Sequence, residues 1–197
     1  MARPRLILIN GPAGAGKDTG GNALLAAFPG AVVIKFAETV KRVAHDLYAL
    51  PPHTPIDAFE DCKDRRSSIF MGRTPREVYI EVSERMVKPR LGERWFGDMF
   101  ERRAVRAWHA GAPMVIATDS GFVAEAEPVL AGIGRNHALL IRVHADARGK
   151  SFAGDSRSHI DLPGVYTVDL RNDVPDNPAS FCGEVVRTVR EWLRRAA

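Results

Sequence analysis

The segment Leu6-Ile7-Leu8-Ile9-Asn10-Gly11-Pro12-Ala13-Gly14-Ala15-Gly16-Lys17-Asp18-Thr19 decides the fold. An apolar run closes on a Gly-rich turn, and a helix-forming stretch from Asn22 to Phe28 follows. Strand, turn and helix are the context in which a GxxxxGK pattern signifies a phosphate-binding loop. Gly11, Gly14 and Gly16 permit positive φ angles and close backbone approach, so that successive N–H groups can converge on one anion. The helix N-terminus behind them adds partial positive charge. Lys17 can then reach the β- and γ-phosphates of a nucleoside triphosphate as a point charge. Gly11, Ala13, Gly14, Ala15, Gly16, Lys17, Asp18 and Thr19 are therefore candidate ATP contacts, and Lys17 is the first candidate catalytic residue.

The residue after such a lysine is commonly Ser or Thr, whose hydroxyl ligates Mg²⁺. Here it is Asp18, with Thr19 next. A carboxylate suits Mg²⁺, which takes oxygen ligands and keeps several of its waters. Asp18 and Thr19 become candidate metal residues, and Thr19 is also free to bond an α-phosphate.

Working outward, 197 residues with 45% hydrophobic and 26% charged content fit one globular domain with a substantial core, spanning residues 1–197. No apolar stretch approaches the ~20 residues of a membrane helix. The start Met-Ala-Arg-Pro-Arg runs straight into a strand and is not a cleavable signal. Cys62 and Cys182 have no metal-ligand or CxxC spacing, which fits a reducing compartment. A cytoplasmic location is expected, that of the host if the gene is phage-encoded. The net charge of +4 is compatible with attraction to polyanions or with a general richness in arginine. The excess gathers between Lys63 and Arg106, where a basic face is plausible.

Further along, Ala31 to Phe36 reads as a second strand and Thr39 to Leu50 as a helix. In parallel α/β sheets the carboxyl ends of strands line the ligand crevice. Glu38, Lys41 and Arg42 would then lie near an acceptor, the alternative being an ordinary solvated helix start. Pro51 to Asp64 reads as a surface connection. Thr74, Pro75 and Glu77 form a strong helix start, continuing to a break at Pro89. Arg73 and Arg76 fall on its first turn, where cations oppose the helix dipole, so their placement asks for an anion such as phosphate. Glu93 to His109 is a long helix whose aromatics recur at core spacing.

Pro113 to Asp119 is a third strand, apolar without alternation as buried parallel strands are. Asp119 at its end could join the Mg²⁺ shell or take the proton of an attacking hydroxyl; capping of a neighbouring turn or helix is the competing reading. After a helix from Val123 to Ala131 and a fourth strand from Ala138 to Val143, residues 146–162 lack apolar periodicity and read as a mobile lid. Basic side chains there, including Arg148, Lys150 and Arg157, could clamp a transferring phosphoryl group and exclude water; a plain polar loop is the alternative. Val165 to Leu170 is a fifth strand and Pro178 to Arg195 the last helix. This alternation gives an α/β fold with a doubly wound parallel five-stranded sheet.

With the phosphate loop, the Phe36-Ala37 strand end, Asp119 and the Asn172-Asp173 turn in place, the chain resembles the phage-type deoxynucleoside monophosphate kinases of the P-loop NTPase fold. The most specific shared part is Gly16-Lys17-Asp18-Thr19. The resemblance implies that Phe36 to Lys41 border the acceptor, that Asn172 lies near adenine, and that Arg148 and Arg157 are catalytic lid residues. It also shows a departure, since Gly121 stands where that family has an arginine suited to an acceptor phosphate. The stretches Thr74 to Ile80, Val87 to Arg90 and Asp119-Ser120-Gly121-Phe122 are similar to phage kinases acting on 5-hydroxymethyluracil within DNA.

The expected function is therefore γ-phosphoryl transfer from ATP with Mg²⁺. The acceptor is a modified pyrimidine in DNA, with a free deoxynucleoside monophosphate as the alternative and an acceptor-free DNA-associated ATPase as the third possibility. Lys17, Asp119, Arg148 and Arg157 are the catalytic candidates; Phe36, Glu38, Lys41, Arg73, Arg76 and Ser120 the substrate candidates; Asp18, Thr19 and Asp119 the metal candidates. The oligomeric state stays open, with a homodimer as one option.

Overall fold

In the computed structural model, which describes residues 4–153, 158–173 and 178–195, strand β1 (Leu6–Asn10) is buried along its whole length. It occupies the centre of a five-stranded parallel sheet. On one side it pairs with β3 (Val115–Ala117), outside which lies β2 (Val32–Val33); on the other it pairs with β4 (Ala138–His144), then β5 (Tyr166–Arg171). Successive side chains point to opposite faces, so both faces of β1 must be apolar. Leu6 and Leu8 pack with Phe100 and Ala104 of α5 (Trp95–His109) and Ala126, Val129 and Leu130 of α6 (Val123–Ile133). Ile7 and Ile9 pack with Leu24 of α1 (Lys17–Ala27) and Phe181, Val185, Val189 and Trp192 of α7 (Pro178–Arg195). The doubly wound architecture expected from the sequence is present.

Several boundaries differ. The outer strand β2 (Val32–Val33) keeps only two of the six residues expected, and α2 (Ala37–Leu47) begins earlier than expected, after Ile34, Lys35 and Phe36. Phe36 thereby leaves the strand, and its ring stacks on Phe100 at 4.0 Å. The connection from Pro51 to Asp64 is not purely superficial, since Phe59 packs edge-on against His45 and Phe70.

The capping box is realised in full. Glu77 N–H donates to Thr74 Oγ1 (3.1 Å) and Thr74 N–H to Glu77 Oε2 (2.8 Å), starting α3 (Pro75–Glu81). The helix does not break at Pro89, however. It widens to an i→i+5 ladder over Val82–Val87 and continues into α4 (Lys88–Leu91). Proline has no N–H for the carbonyl four residues earlier and its ring crowds that carbonyl. The wider turn relieves the crowding, and the Arg90 guanidinium donates to the carbonyls of Arg85 (3.2 Å) and Met86 (3.0 Å). A satellite core of Val40, Ala44, Phe70, Val78, Val82 and Phe96 joins this segment to α2 and α5.

Candidate active site

Between β1 and α1 the chain turns through Gly14 (φ 74°) and Gly16 (φ 99°), conformations open to glycine and strained for other residues. Gly11 is required for a different reason: a Cβ there would sit 2.7 Å from the Val143 carbonyl oxygen of β4. The loop is braced by Asn172, buried just beyond β5, whose amide donates to the Ala15 carbonyl at 2.8 Å. A side chain at Gly16 would overlap that amide. Asn172 therefore holds the loop in shape and lines the same cleft.

That cleft, of ≈ 390 Å³, is walled by Gly14, Gly16, Lys17, Asp18 and Thr19 of the loop, with Arg148 and Asn172 opposite. It has the size of a small-molecule site. Lys17 Nζ donates to the carbonyls of Gly11 and Pro12, both at 2.7 Å. Arg148 is carried there by a tight turn, Asp146–Arg148, in which the Ala145 carbonyl accepts from Arg148 N–H (3.0 Å) and Lys150 N–H (3.2 Å). The same turn lays the Lys150 stem against the phosphate loop, 3.2 Å from where a Gly14 Cβ would stand. Arg157 lies outside the described residues, as do its neighbours 154–156.

Asp18 is held on two sides: its Oδ1 accepts from Thr118 Oγ1 (2.6 Å) and pairs with Lys35 Nζ (2.8 Å). Burial works against its charge, but the bonds from Lys35 and Thr118 and the charges of Lys35 and Lys17 outweigh it, holding the carboxyl below its ordinary value. For Lys35, burial likewise opposes the charge. Asp18, Asp119 and Glu60 together keep the ammonium above its usual value.

Asp119 makes the bonds that the capping reading describes. Its Oδ1 and Oδ2 accept from Phe36 N–H (3.0 Å) and Ala37 N–H (2.8 Å), which ties the end of β3 to the N-terminus of α2. Enclosure pushes its carboxyl up, against those two donors and Lys35. Ser120 is buried, its carbonyl accepting from the Asn10 amide at 2.8 Å.

The remaining substrate candidates are already engaged. Glu38 bridges Arg42 and Arg103, each at 2.8 Å. Lys41 is buried against Glu60, which also holds Lys63 at 3.2 Å. Phe36 is core. Arg73, which precedes the N-cap of α3 and so lies outside the first turn expected for it, pairs with Glu81, and Arg76 in that turn pairs with Asp64.

Four residues escape sequence reasoning. Asn10, fully buried, donates to Ser120 O (2.8 Å) and Ser158 O (3.1 Å) and accepts from Ile160 N–H (3.3 Å), thereby anchoring the chain at Ser158 and Ile160. The polar side chain ending an apolar run just before Gly11 is the signal that could reveal it. Thr118 and Lys35 act through partners distant in sequence. Glu125, buried at the start of α6, has its carboxyl pushed up to about 7 by burial and by the charges of Asp119, Glu84 and Glu93, against Lys88.

A central strand feeding a phosphate loop, inside a doubly wound parallel sheet, defines a P-loop α/β protein. The chain is similar to an unliganded sugar kinase from Janibacter sp., at 12% identity over 97% of this chain and 95% of that one, with a TM-score of 0.51. It is also similar to a gluconokinase from Sinorhizobium meliloti (12% identity, 100% and 99% of the chains, TM-score 0.48). A tunicamycin resistance protein from Deinococcus radiodurans is a further neighbour (13% identity, 95% and 96%, TM-score 0.44). At such identities it is the fold that is shared, and the first of these structures carries that conclusion. No protein-family model and no curated protein matches the chain. Among the described residues, no helix is long and apolar enough to cross a membrane.

Proposed function

We propose that the protein is an ATP- and Mg²⁺-dependent phosphotransferase acting on a nucleotide acceptor. The observation that carries this reading is the convergence of Lys17, Asp18, Thr19, Arg148 and Asn172 on one cleft around a glycine-shaped loop. Asp18 and Thr19 offer the carboxylate and hydroxyl oxygens that suit Mg²⁺, which needs only one or two carboxylates beside phosphates and waters. Among the described residues there is no group of three or more His, Cys, Asp or Glu that could hold a metal. When bound, the ion supplies neutralisation of charge on the β- and γ-oxygens.

Lys17 exchanges its two loop carbonyls for phosphate oxygens, and Arg148 stabilises charge on the group in transfer. The acceptor oxygen forms a bond to the γ-phosphorus as the bond to the bridging oxygen of ADP breaks, and the hydroxyl proton passes to a base. Each Asp119 oxygen retains a lone pair beyond its backbone donor, which keeps Asp119 as the base in this reading.

The acceptor we assign is the hydroxymethyl group of 5-hydroxymethyl-deoxyuridine in DNA. Supporting this are Gly121 and the exposed Arg65, Arg85, Arg102 and Arg106, which make no ion pair among the described residues. Cations of this kind are what a phosphate backbone requires. A second reading, a free deoxynucleoside monophosphate, is favoured by the compact group of Lys41 and Lys63 about Glu60, with Lys35 close enough to feel its charge. Such a group suits a single phosphate. Transfer of labelled γ-phosphate from ATP, offered to DNA containing 5-hydroxymethyluracil and to free deoxynucleoside monophosphates in parallel, separates the two. Label in DNA alone supports the polymer; label in free nucleotides alone overturns it in favour of the second reading. ATP hydrolysis with neither labelled overturns both.

A further inference from the structure

Lys35 has no part in the transfer chemistry proposed above, yet it pairs with the carboxylate that the proposed function assigns to a divalent cation. Its Nζ lies 2.8 Å from Asp18 Oδ1, the carboxylate following the phosphate-loop lysine. Thr118 Oγ1 bonds the same oxygen at 2.6 Å, so the Asp18 carboxylate is oriented from the end of β3 while Lys35 neutralises it. Asp119 is near enough to act on Lys35 electrostatically, so the ammonium paired with Asp18 also feels the second acid.

The backbone of Lys35 is fixed: its carbonyl accepts from the Arg103 guanidinium at 2.8 Å and from Glu38 N–H at 3.3 Å. Its side chain is open to solvent, 37% exposed, as is that of its partner Asp18 at 67%. A fixed backbone with a half-exposed, flexible four-carbon stem is suited to releasing one anion and taking up another nearby.

We propose that Lys35 is a positioning residue of the transfer site, its ammonium holding the Asp18 carboxylate in place of the divalent cation and giving it up when metal and triphosphate bind. Lys35 and the metal compete for one oxygen ligand. Once displaced, the ammonium remains beside Asp119, on the acceptor side, where it favours an anionic acceptor or the developing charge of the transferred group.

This inference rests on Asp18 being the metal carboxylate, and the test keeps the two claims apart. Mn²⁺ binding to the full chain with a non-hydrolysable ATP analogue is measured by electron paramagnetic resonance. The proteins are the parent, Lys35→Met, Lys35→Arg, Asp18→Asn and the double variant Lys35→Met/Asp18→Asn. Removal of the competitor should lower the Mn²⁺ Kd about fivefold, the upper range for a half-exposed ion pair. Lys35→Arg, which keeps the charge, should stay near the parent value. In the Asp18→Asn background, Lys35→Met should change nothing.

A Lys35→Met Kd equal to or weaker than that of the parent overturns the competition. So does an equal tightening with and without Asp18, which would reduce Lys35 to a diffuse positive charge. An Asp18→Asn protein that binds Mn²⁺ as the parent does instead sinks the metal assignment of Asp18, and the inference with it. Circular dichroism melts of each variant establish that folded protein is being compared.

Discussion

Glu125 gives the sharpest energetic prediction. It lies in the first turn of α6, 8% exposed. Burial, with the charges of Asp119, Glu84 and Glu93, raises its carboxyl from 4.5 to about 7 in spite of Lys88. The folded protein therefore holds this proton more tightly than the unfolded chain does. Between those two values the native state binds more protons, so stability falls as pH rises. Below the unfolded value nothing is lost; above about 7 the full loss applies, about 3 kcal/mol at 1.36 kcal/mol per tenfold change in proton affinity. Glu125→Gln keeps the shape and neutrality of the protonated acid. It should match wild type near pH 4.5 and exceed it by about 3 kcal/mol at pH 8, a large share of a typical stability of 5–15 kcal/mol. With a urea dependence of about 2 kcal/mol per molar, the unfolding midpoint should rise by about 1.5 M. His45 and His159 also titrate here: burial favours their neutral forms, so their contribution grows with pH. Both are present in each protein, so the difference between the two urea series isolates Glu125. A difference that is flat from pH 4.5 to 8, or a variant weaker than wild type at pH 8, refutes the argument.

Three further outcomes are expected. Lys17→Ala should reduce phosphoryl transfer about 10²–10³-fold, the scale for deleting one charge-stabilising donor, with an unchanged far-ultraviolet circular dichroism spectrum; near-full activity would remove the site assignment. Gly97→Ala should destabilise the fold by about 1–3 kcal/mol, because a Cβ there overlaps the Glu125 carbonyl where α5 and α6 meet; thermal denaturation checks this, and an unchanged melting point would contradict the packing. Asn10→Ala should cost about 2–4 kcal/mol by stranding Ser120 O, Ser158 O and Ile160 N–H. It should also speed limited proteolysis of the segment around Phe152, and an unaltered cleavage rate would show that Asn10 does not anchor that segment.

Legibility in the sequence follows the distance over which each interaction acts. The phosphate loop, the capping box of Thr74 and Glu77 and the central strands are visible because their determinants are local: glycines in a row, a hydroxyl three residues before a carboxylate, unbroken apolar runs. The outer strand β2 is overestimated because β-branched residues mark burial as well as pairing, and its edge position leaves one neighbour only. The passage through Pro89 is missed because relief comes from a wider ladder and the guanidinium of Arg90. In the site the pattern repeats. Lys17 to Thr19 are read directly, whereas the bond from Thr118 to Asp18 spans 100 positions and that from Asn172 to Ala15 spans 157. For Arg73 and Arg76 the local sequence asks for an anion without naming it, and the carboxylates paired with them, Glu81 and Asp64, come from elsewhere in the chain.

The long-range bonds share a location, and that location explains how the core fixes the site. Asn10 ends β1, Thr118 and Asp119 follow β3, and Asn172 follows β5, so all four stand at the carboxyl edge of the sheet. Each holds a different part of the cleft. Asn10 secures the chain at Ser158 and Ile160; Thr118 orients Asp18; Asp119 carries the start of α2; Asn172 braces the phosphate loop at Ala15. Asn10, Thr118 and Asn172 are buried, where an unmade hydrogen bond costs most, so each has few alternatives to the partner it holds. The segments carrying Lys17, Asp18 and Arg148 are thus positioned by strands whose own placement is set by the two apolar faces. Stabilising charge during a transfer requires donors that need not reorganise when the charge appears. A row of buried polar residues on the rigid edge of the sheet meets that requirement, and Lys35 joins it through the ion pair with Asp18, which Thr118 orients.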